Sequence, residues 1–152
     1  MTKTNCYLLV GIPASGKSTL ARHLATSKNA LVLSTDTIRT LLYGSPLVQG
    51  SWLDIERVLH RLLLKAVSQN KSVVIDATHT LKAHRKTLLT LSKSKINWSC
   101  IYLKTDLDTC HKRNIERSRT VPRTVIDSMY QNTLQEPPTK EEGFNHITII
   151  EA

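Results

Sequence analysis

The chain has 152 residues, a length that predicts a single domain spanning residues 1–152. Hydrophobic residues make up 40% of it and charged residues 22%, which indicates a folded globular protein and excludes intrinsic disorder. The formal net charge of +9 suggests an anionic partner, but aromatic residues are only 5%, which argues against a surface on which single-stranded bases stack.

Short apolar runs alternate with helical periodicities along the chain. Strands are predicted at 6–10, 30–33, 72–75, 98–103 and 147–150. Helices are predicted at about 17–27, in a short segment ending near 43, and at about 52–69, 81–94, 107–116 and 122–135. This alternation predicts an α/β fold with a mostly parallel five-stranded sheet covered on both faces, and a ligand site beyond the carboxyl ends of the strands.

The cysteines and the apolar runs limit the class of protein further. Cys6, Cys100 and Cys110 are odd in number and lack the spacing of metal ligands, so we predict buried, reduced thiols. The apolar run at 6–10 is far shorter than the roughly 20 residues of a membrane span, and residues 1–5 are too short and polar to precede a signal peptide. We therefore expect a cytoplasmic protein that does not bind membranes.

Residues 11–18, Gly-Ile-Pro-Ala-Ser-Gly-Lys-Ser, match the pattern G-x-x-x-x-G-K-[ST] between a predicted strand and a predicted helix. Gly11 and Gly16 allow a tight turn that brings backbone N–H groups close to phosphate oxygens. The helix that begins near Lys17 directs its unpaired N–H groups at the same anion. We therefore predict a P-loop NTPase three-layer sandwich in which Lys17 contacts ATP phosphates and the Ser18 hydroxyl binds Mg²⁺. The predicted nucleotide-binding residues of the loop are Gly11, Ala14, Ser15, Gly16, Lys17, Ser18 and Thr19.

Two carboxylates follow predicted strands at the edge where the phosphates would lie. Asp36 is predicted to be the general base that accepts a proton from an attacking hydroxyl, and Arg39, three residues on, would hold an anionic group of the acceptor. Asp76 ends the third strand, where it would hold water on Mg²⁺ or orient the acceptor. These residues could instead have structural roles. Asp36 would then be an early helix residue favoured by the helix dipole, with Arg39 as its surface partner, and Asp76 would cap the loop that follows it.

Two further residues complete the predicted acceptor site. His79 lies in the loop after the third strand and would contact the acceptor, or would be an ordinary loop residue. Arg85 lies on the basic amphipathic helix that follows. The predicted substrate-binding residues are Arg39, Asp76, His79 and Arg85.

Residues 82–123 carry most of the positive charge, with eleven Lys and Arg against three acidic residues. Arg113 and Arg117 are an i, i+4 pair on one predicted helix face. The forked donors of arginine stabilise charge on a transferring phosphoryl group. We therefore predict a small arginine-rich helical lid at about 111–123, in which both arginines bind nucleotide and Arg117 acts in catalysis together with Lys17 and Asp36. The alternative is a solvated basic helix face.

With these motifs in order, the sequence resembles the kinase domain of polynucleotide 5′-hydroxyl kinases and the wider group of small P-loop kinases, across nearly the whole chain. The segments that carry the resemblance are 11–18, 34–39, 75–78, 112–117, Val121-Pro122 with Met129, and Glu142-Gly143-Phe144. The combination of Asp36 and Arg39 with the arginine-rich and Val-Pro segments is much more specific than the P-loop alone.

The resemblance implies roles at the matching positions. Lys17 and Ser18 match the ligands of nucleotide and Mg²⁺, and Asp36 matches the general base. Arg39 matches, in the phage enzyme, an arginine that contacts the 3′-phosphate of the acceptor. At the remaining two positions, Asp76 matches an aspartate that helps shape the site and Arg117 matches a lid arginine that contacts ATP phosphates.

The chain departs from the family's pattern at two places near the acceptor. Ser34-Thr35 stands where the family usually has Asn-Arg, and His79 stands where it usually has Asn. The motifs and the resemblance together predict an ATP- and Mg²⁺-dependent kinase that phosphorylates the 5′-hydroxyl of RNA or DNA. The alternatives are a kinase for a small metabolite or a tRNA-attached group, and a nucleotide-binding regulatory module without transfer activity.

Overall fold

The computed structural model describes residues 3–91, 93–117 and 120–151. The strands are β1 (Thr4–Val10), β2 (Leu31–Ser34), β3 (Val73–Asp76), β4 (Ile96–Lys104) and β5 (His146–Glu151). The helices are α1 (Lys17–Lys28), α2 (Thr35–Tyr43), α3 (Trp52–Ser68), α4 (Lys82–Thr90), α5 (Leu107–Glu116) and α6 (Arg123–Gln135), with a 3₁₀ turn at Lys140–Glu142.

The five strands form one sheet in the order β2-β3-β1-β4-β5, and every pairing is parallel. Because the strands are parallel, their carboxyl ends meet at one edge, where Ser34 pairs with Asp76. The P-loop after β1 and the start of α2 after β2 lie at this same edge. The predicted α/β architecture is confirmed.

The sheet is buried on both faces because its side chains alternate between them. Leu8 and Ile75 point into the larger core cluster, which includes Leu59 of α3 and Leu88 of α4. Leu9 and Val74 point to the other face and pack against Ala21 of α1 with a smaller cluster. Helices therefore cover the sheet on both sides and hold the loops at its carboxyl edge in fixed positions.

The boundary between α4 and β4 differs from the prediction. The helix predicted at 81–94 ends at Thr90, and the strand predicted from residue 98 begins at Ile96. Leu91 already has an extended backbone, and Ile96 pairs with Thr4 at the start of the β1 ladder. Leu91 and residues 93–95 lie in turns, so the helix ends four residues earlier, and the strand begins two residues earlier, than periodicity indicated.

The cysteines agree with the prediction. Cys6, Cys100 and Cys110 are buried and free. Burial raises the pKa of the Cys6 and Cys100 thiols to about 12, so they stay protonated and unreactive at neutral pH. Within the described parts of the chain, no helix is both long and apolar enough to cross a membrane.

Candidate active site

A cavity of 1020 Å³ opens at the carboxyl edge of the sheet. Its lining comes from the P-loop with the start of α1, from α2 with the loop that follows it, from the end of β3 with the residues after it, and from residues within 113–117 and 120–125; single residues of β4, α6 and β5 complete it. The residues of the predicted site that line it are Ala14, Ser15, Gly16, Lys17, Ser18, Thr19, Asp36, Arg39, Asp76, Arg113 and Arg117. Most of the predicted site therefore shares one cavity, large enough for a nucleotide and a small acceptor.

The P-loop folds so closely that Gly11 has no room for a side chain. A Cβ at Gly11 would lie 2.8 Å from Ser15 Oγ and 3.2 Å from the carbonyl oxygen of Leu103. Further along the loop, Ala14 and Gly16 both have positive φ angles, 65° and 104°. Gly11 thus lies behind the cavity lining and shapes the loop, whose backbone turns toward the amino end of α1.

Lys17 lies at the base of the cavity, with a side chain that is 8% exposed. Its Nζ donates a hydrogen bond to the Ile12 carbonyl oxygen at 2.8 Å. Burial lowers the pKa of Lys17 to about 8, and the nearby charges of Asp76 and Asp36 act in the opposite direction. A phosphate group in the cavity would add negative charge beside this ammonium and favour its charged form.

Ser18 and Asp76 form the part of the site that suits a magnesium ion. The Ser18 hydroxyl donates a hydrogen bond to Asp76 Oδ2 at 3.1 Å, because β3 ends beside the first turn of α1. Mg²⁺ prefers oxygen ligands of this kind, completed by water and phosphate oxygens. These two residues therefore fit a magnesium ion bound together with a nucleotide.

Asp36 and Arg39 lie on the other side of the same cavity. The Ser34 hydroxyl accepts a hydrogen bond from the Thr37 N–H at 3.4 Å and caps α2, so that Asp36 falls in its first turn. Arg39 Nη1 lies 3.4 Å from Asp36 Oδ1. The carboxylate beside the P-loop is thus oriented by an arginine one turn away on the same helix.

The loop after α2 adds cavity residues that the sequence reasoning missed. Pro46, Leu47 and Gln49 line the cavity together with Asp36 and Arg39. The ring of Tyr43 lies over Gly50, where an added Cβ would come within 2.2 Å of it. Gly50 was the sequence signal for this loop, because its φ of 62° and its contact with the Tyr43 ring both favour glycine. The signal could not be interpreted from the sequence, because the position of the ring depends on tertiary structure.

The predicted lid segment borders the cavity opposite α2. Arg113 Nη1 lies 3.5 Å from the Ser15 carbonyl oxygen, so it reaches back to the P-loop. Arg117 is the first residue after α5 and has an extended backbone, so the two arginines do not share a helix face as predicted. Ser118 and Arg119, which fall within the predicted lid, lie outside the described residues.

The structure contradicts the prediction that His79 contacts the acceptor. Its side chain is 4% exposed and does not line the cavity. The His79 ring instead meets Trp52 edge to face, with centroids 5.8 Å apart. Burial lowers the pKa of His79 to about 3, which keeps the ring neutral. His79 is therefore a core residue of the loop after β3.

Arg85 is likewise a structural residue and not part of the acceptor site. Its side chain is 0% exposed, and its Nε donates to Glu142 Oε1 at 2.7 Å. Its Nη1 donates to the carbonyl oxygen of His79 at 3.0 Å, and its Nη2 to that of Glu136 at 2.7 Å. The sequence pattern did not indicate these partners, because Glu142 is distant in sequence and His79 and Glu136 contribute backbone oxygens.

A family model and several known proteins match most of the chain. The family model described as AAA domain matches residues 7–137. The L-seryl-tRNA(Sec) kinase of Methanococcus maripaludis is 34% identical over 140 residues, which cover 88% of this chain and 53% of that protein. The bifunctional polynucleotide phosphatase/kinase of Schizosaccharomyces pombe is 27% identical over 146 residues, 92% of this chain and 32% of that protein.

A third relative and a solved structure extend these comparisons. The thermoresistant gluconokinase of Escherichia coli is 29% identical over 141 residues, 89% of this chain and 79% of that protein. A crystal structure from Chloroflexus aurantiacus has the same fold, with a TM-score of 0.74, 16% identity and coverage of 99% and 89% of the two chains. These relatives are kinases of several kinds, which confirms the predicted likeness to small P-loop kinases but does not single out polynucleotide kinases. The chain belongs to the AAA domain family of P-loop kinases.

Proposed function

We propose that this protein transfers the γ-phosphate of ATP to a hydroxyl on a small group, either a free metabolite or a group attached to tRNA. Asp36 accepts the proton of the acceptor hydroxyl as that oxygen forms a bond to the γ-phosphorus. The bond from the γ-phosphorus to its bridging oxygen breaks, and ADP leaves with that oxygen. Lys17 and Arg117 offset the negative charge that spreads over the phosphate oxygens.

The observation that carries the proposal is that the predicted base and the phosphate-binding groups face one cavity. Lys17, Ser18 and Asp36 all line it, and the charge of Asp36 acts on the pKa of Lys17. Ser18 with Asp76 supplies the oxygen ligands that Mg²⁺ needs beside the phosphates. A nucleotide sensor without transfer activity has no use for a carboxylate in that position.

Support for a small or tRNA-attached acceptor comes from the relatives and from the acceptor side of the cavity. The tRNA(Sec) kinase is 34% identical to this chain, and the gluconokinase is matched over 79% of its length. Pro46 and Leu47 present a partly apolar wall next to Gln49, and Arg39 already pairs with Asp36. Such a wall suits a compact acceptor group.

A 5′-hydroxyl end of RNA or DNA is the second candidate. Arg39 supports it, because this arginine stands where the phage polynucleotide kinase contacts an acceptor phosphate. The similarity to the polynucleotide phosphatase/kinase, at 27% identity, also favours it. In that case Arg39 would leave Asp36 and bind a phosphate of the acceptor strand.

The test is transfer of labelled phosphate from ATP with Mg²⁺ to seryl-tRNA, gluconate, 5′-hydroxyl RNA and 5′-hydroxyl DNA. We expect label on one of the first two, and Asp36→Asn is expected to lower its rate about 10²–10⁴-fold. The matched control is Asp54→Asn, because Asp54 is also a first-turn aspartate but lies on α3, outside the cavity lining. Label only on nucleic acid ends would select the second candidate, and full activity of Asp36→Asn would remove the assigned base.

A further inference from the structure

We propose that Asn114 is a positioning residue that holds Arg117 beside the transferring phosphate, because its side chain binds both Arg117 and the backbone of Val121. The inference rests on the proposed function, which assigns Arg117 to the phosphates. Asn114 is itself absent from the cavity lining and is 3% exposed. Its effect on the reaction must therefore pass through the residues that it binds.

The carboxamide of Asn114 makes two hydrogen bonds to the backbone of one residue. Its Nδ2 donates to the Val121 carbonyl oxygen at 2.7 Å, and the Val121 N–H donates to its Oδ1 at 3.0 Å. The pair reproduces the exchange of hydrogen bonds between two strands and fixes Val121 in both position and orientation. Such an exchange needs a donor and an acceptor on one planar group, which a carboxylate or a hydroxyl of this size does not supply in that geometry.

The same oxygen of Asn114 also contacts Arg117. Arg117 Nη2 donates to Asn114 Oδ1 at 3.4 Å, although α5 has ended and the backbone of Arg117 is extended. Arg117 and Val121 both line the cavity, on either side of residues 118–120. One buried amide therefore links the last turn of α5, the arginine that follows it and Val121.

Both ends of this linkage have independent anchors. Val121 packs against a buried cluster that contains Ile12 of the P-loop and Ile126 of α6. A second cross-link joins the two helices, because His111 Nε2 lies 2.7 Å from Asp127 Oδ1. Loss of the Asn114 amide should therefore release Arg117 while α5, Val121 and α6 stay in place.

The test compares Asn114→Asp with the wild type in the binding of ATP and of ADP, each with Mg²⁺. The aspartate keeps the size and one acceptor oxygen, but it sets a carboxylate oxygen against the Val121 carbonyl and attracts the Arg117 guanidinium. If Arg117 holds the γ-phosphate, the preference for ATP over ADP falls about tenfold, as expected for the loss of one charge-assisted hydrogen bond. If Asn114 had a purely structural role, Asn114→Asp would weaken the binding of ATP and of ADP equally.

Asn97→Asp is the matched control, since Asn97 Nδ2 donates to Asn5 Oδ1 at 2.9 Å far from the cavity. It should leave the preference for ATP unchanged. Thermal unfolding of both variants checks that the fold is retained.

A second variant pair tests whether Asn114 acts through Arg117. Once Arg117→Ala has removed the guanidinium, adding Asn114→Asp should change the preference for ATP no further, because coupled residues are not additive. Additive effects would overturn the inference. The inference would also be overturned if Arg117→Ala lowers the preference for ATP over ADP and Asn114→Asp leaves it unchanged. That result would leave the kinase proposal intact. If Arg117→Ala also changes nothing, the inference fails with the role of Arg117, and phosphate transfer by the wild type decides the kinase proposal alone.

Discussion

Lys17 combines two demands that pull its pKa in opposite directions. The P-loop buries its side chain to bring the ammonium close to the phosphates, and burial lowers its pKa to about 8. Asp76 and Asp36 offset part of this cost. At neutral pH the free protein therefore keeps Lys17 mainly charged, but only by a margin of about one pH unit.

This margin predicts how ATP binding depends on pH. Above the pKa of about 8, the free protein has lost the Lys17 proton, whereas bound phosphates favour the charged form. The affinity for ATP should thus decline from pH 7 to pH 9, and binding at pH 8.5 should take up protons. Calorimetry in two buffers of different ionisation enthalpy measures this uptake.

Lys17→Arg and Lys17→Ala are the controls for this pH dependence. Arginine stays charged at every pH in the range, and alanine carries no charge, so neither variant should take up a proton at this position. A decline of ATP affinity with the same slope in both variants would assign the titration to another group.

At the scale of elements, the clamp formed by Arg85 and Glu142 fastens the loop after β3 to the end of α6 and the 3₁₀ turn. Glu142 is 1% exposed, and its Oε2 also accepts the Thr139 N–H at 2.6 Å. The guanidinium is therefore buried with one anionic partner and two carbonyl oxygens. Because the clamped loop directly follows Asp76, it also supports the carboxylate that we propose to bind magnesium.

Removal of Glu142 should destabilise the protein strongly. Glu142→Ala leaves the Arg85 charge buried without its counter-charge, which costs about 3–5 kcal/mol of unfolding free energy. Glu141→Ala, at the exposed neighbouring position, should change stability by no more than about 0.5 kcal/mol. Urea unfolding of both variants measures the difference, and a loss below about 1 kcal/mol for Glu142→Ala would contradict the clamp.

Sequence reasoning found the parts of the site that follow from local pattern and missed those that depend on tertiary contacts. Asp36 and Asp76 were found because parallel strands bring their carboxyl ends to one edge, which is a topological rule. Arg85 and His79 were misplaced because their burial depends on Glu142 and Trp52, which are remote in the chain. The polar character of both residues suggested contact with substrate, whereas each is satisfied or enclosed within the fold.

At the scale of the whole molecule, the net charge of residues 82–123 does not form one anion-binding surface. Arg85 is neutralised by Glu142, and Lys104 Nζ lies 3.6 Å from Glu151 Oε1. The arginines of α5 and its end line the nucleotide cavity. Lys93 and Lys95 precede β4, at the edge of the sheet opposite the cavity, where the Lys95 carbonyl oxygen accepts the Thr4 N–H.

Only part of the remaining charge is placed to meet an RNA acceptor. Lys82 and Lys86 are exposed on the first turns of α4, which begins at the cavity edge of the sheet. If the acceptor group is carried by tRNA, Lys82→Ala/Lys86→Ala should weaken binding of the RNA and reduce its salt slope by about one unit per lysine. Lys93→Ala/Lys95→Ala removes the same charge from the opposite edge and should leave the affinity and the slope unchanged.

Measurement of the KM of the acceptor substrate across a salt series separates the possible acceptors. Equal losses of RNA affinity in the two double variants would mean that RNA binding depends on net charge alone and involves no contact with α4. Unchanged values in both would exclude an RNA track along α4 and favour a free metabolite, whose KM depends on the cavity. Loss confined to the α4 pair would show that two lysines near the cavity, and not the overall charge of +9, recognise the nucleic acid.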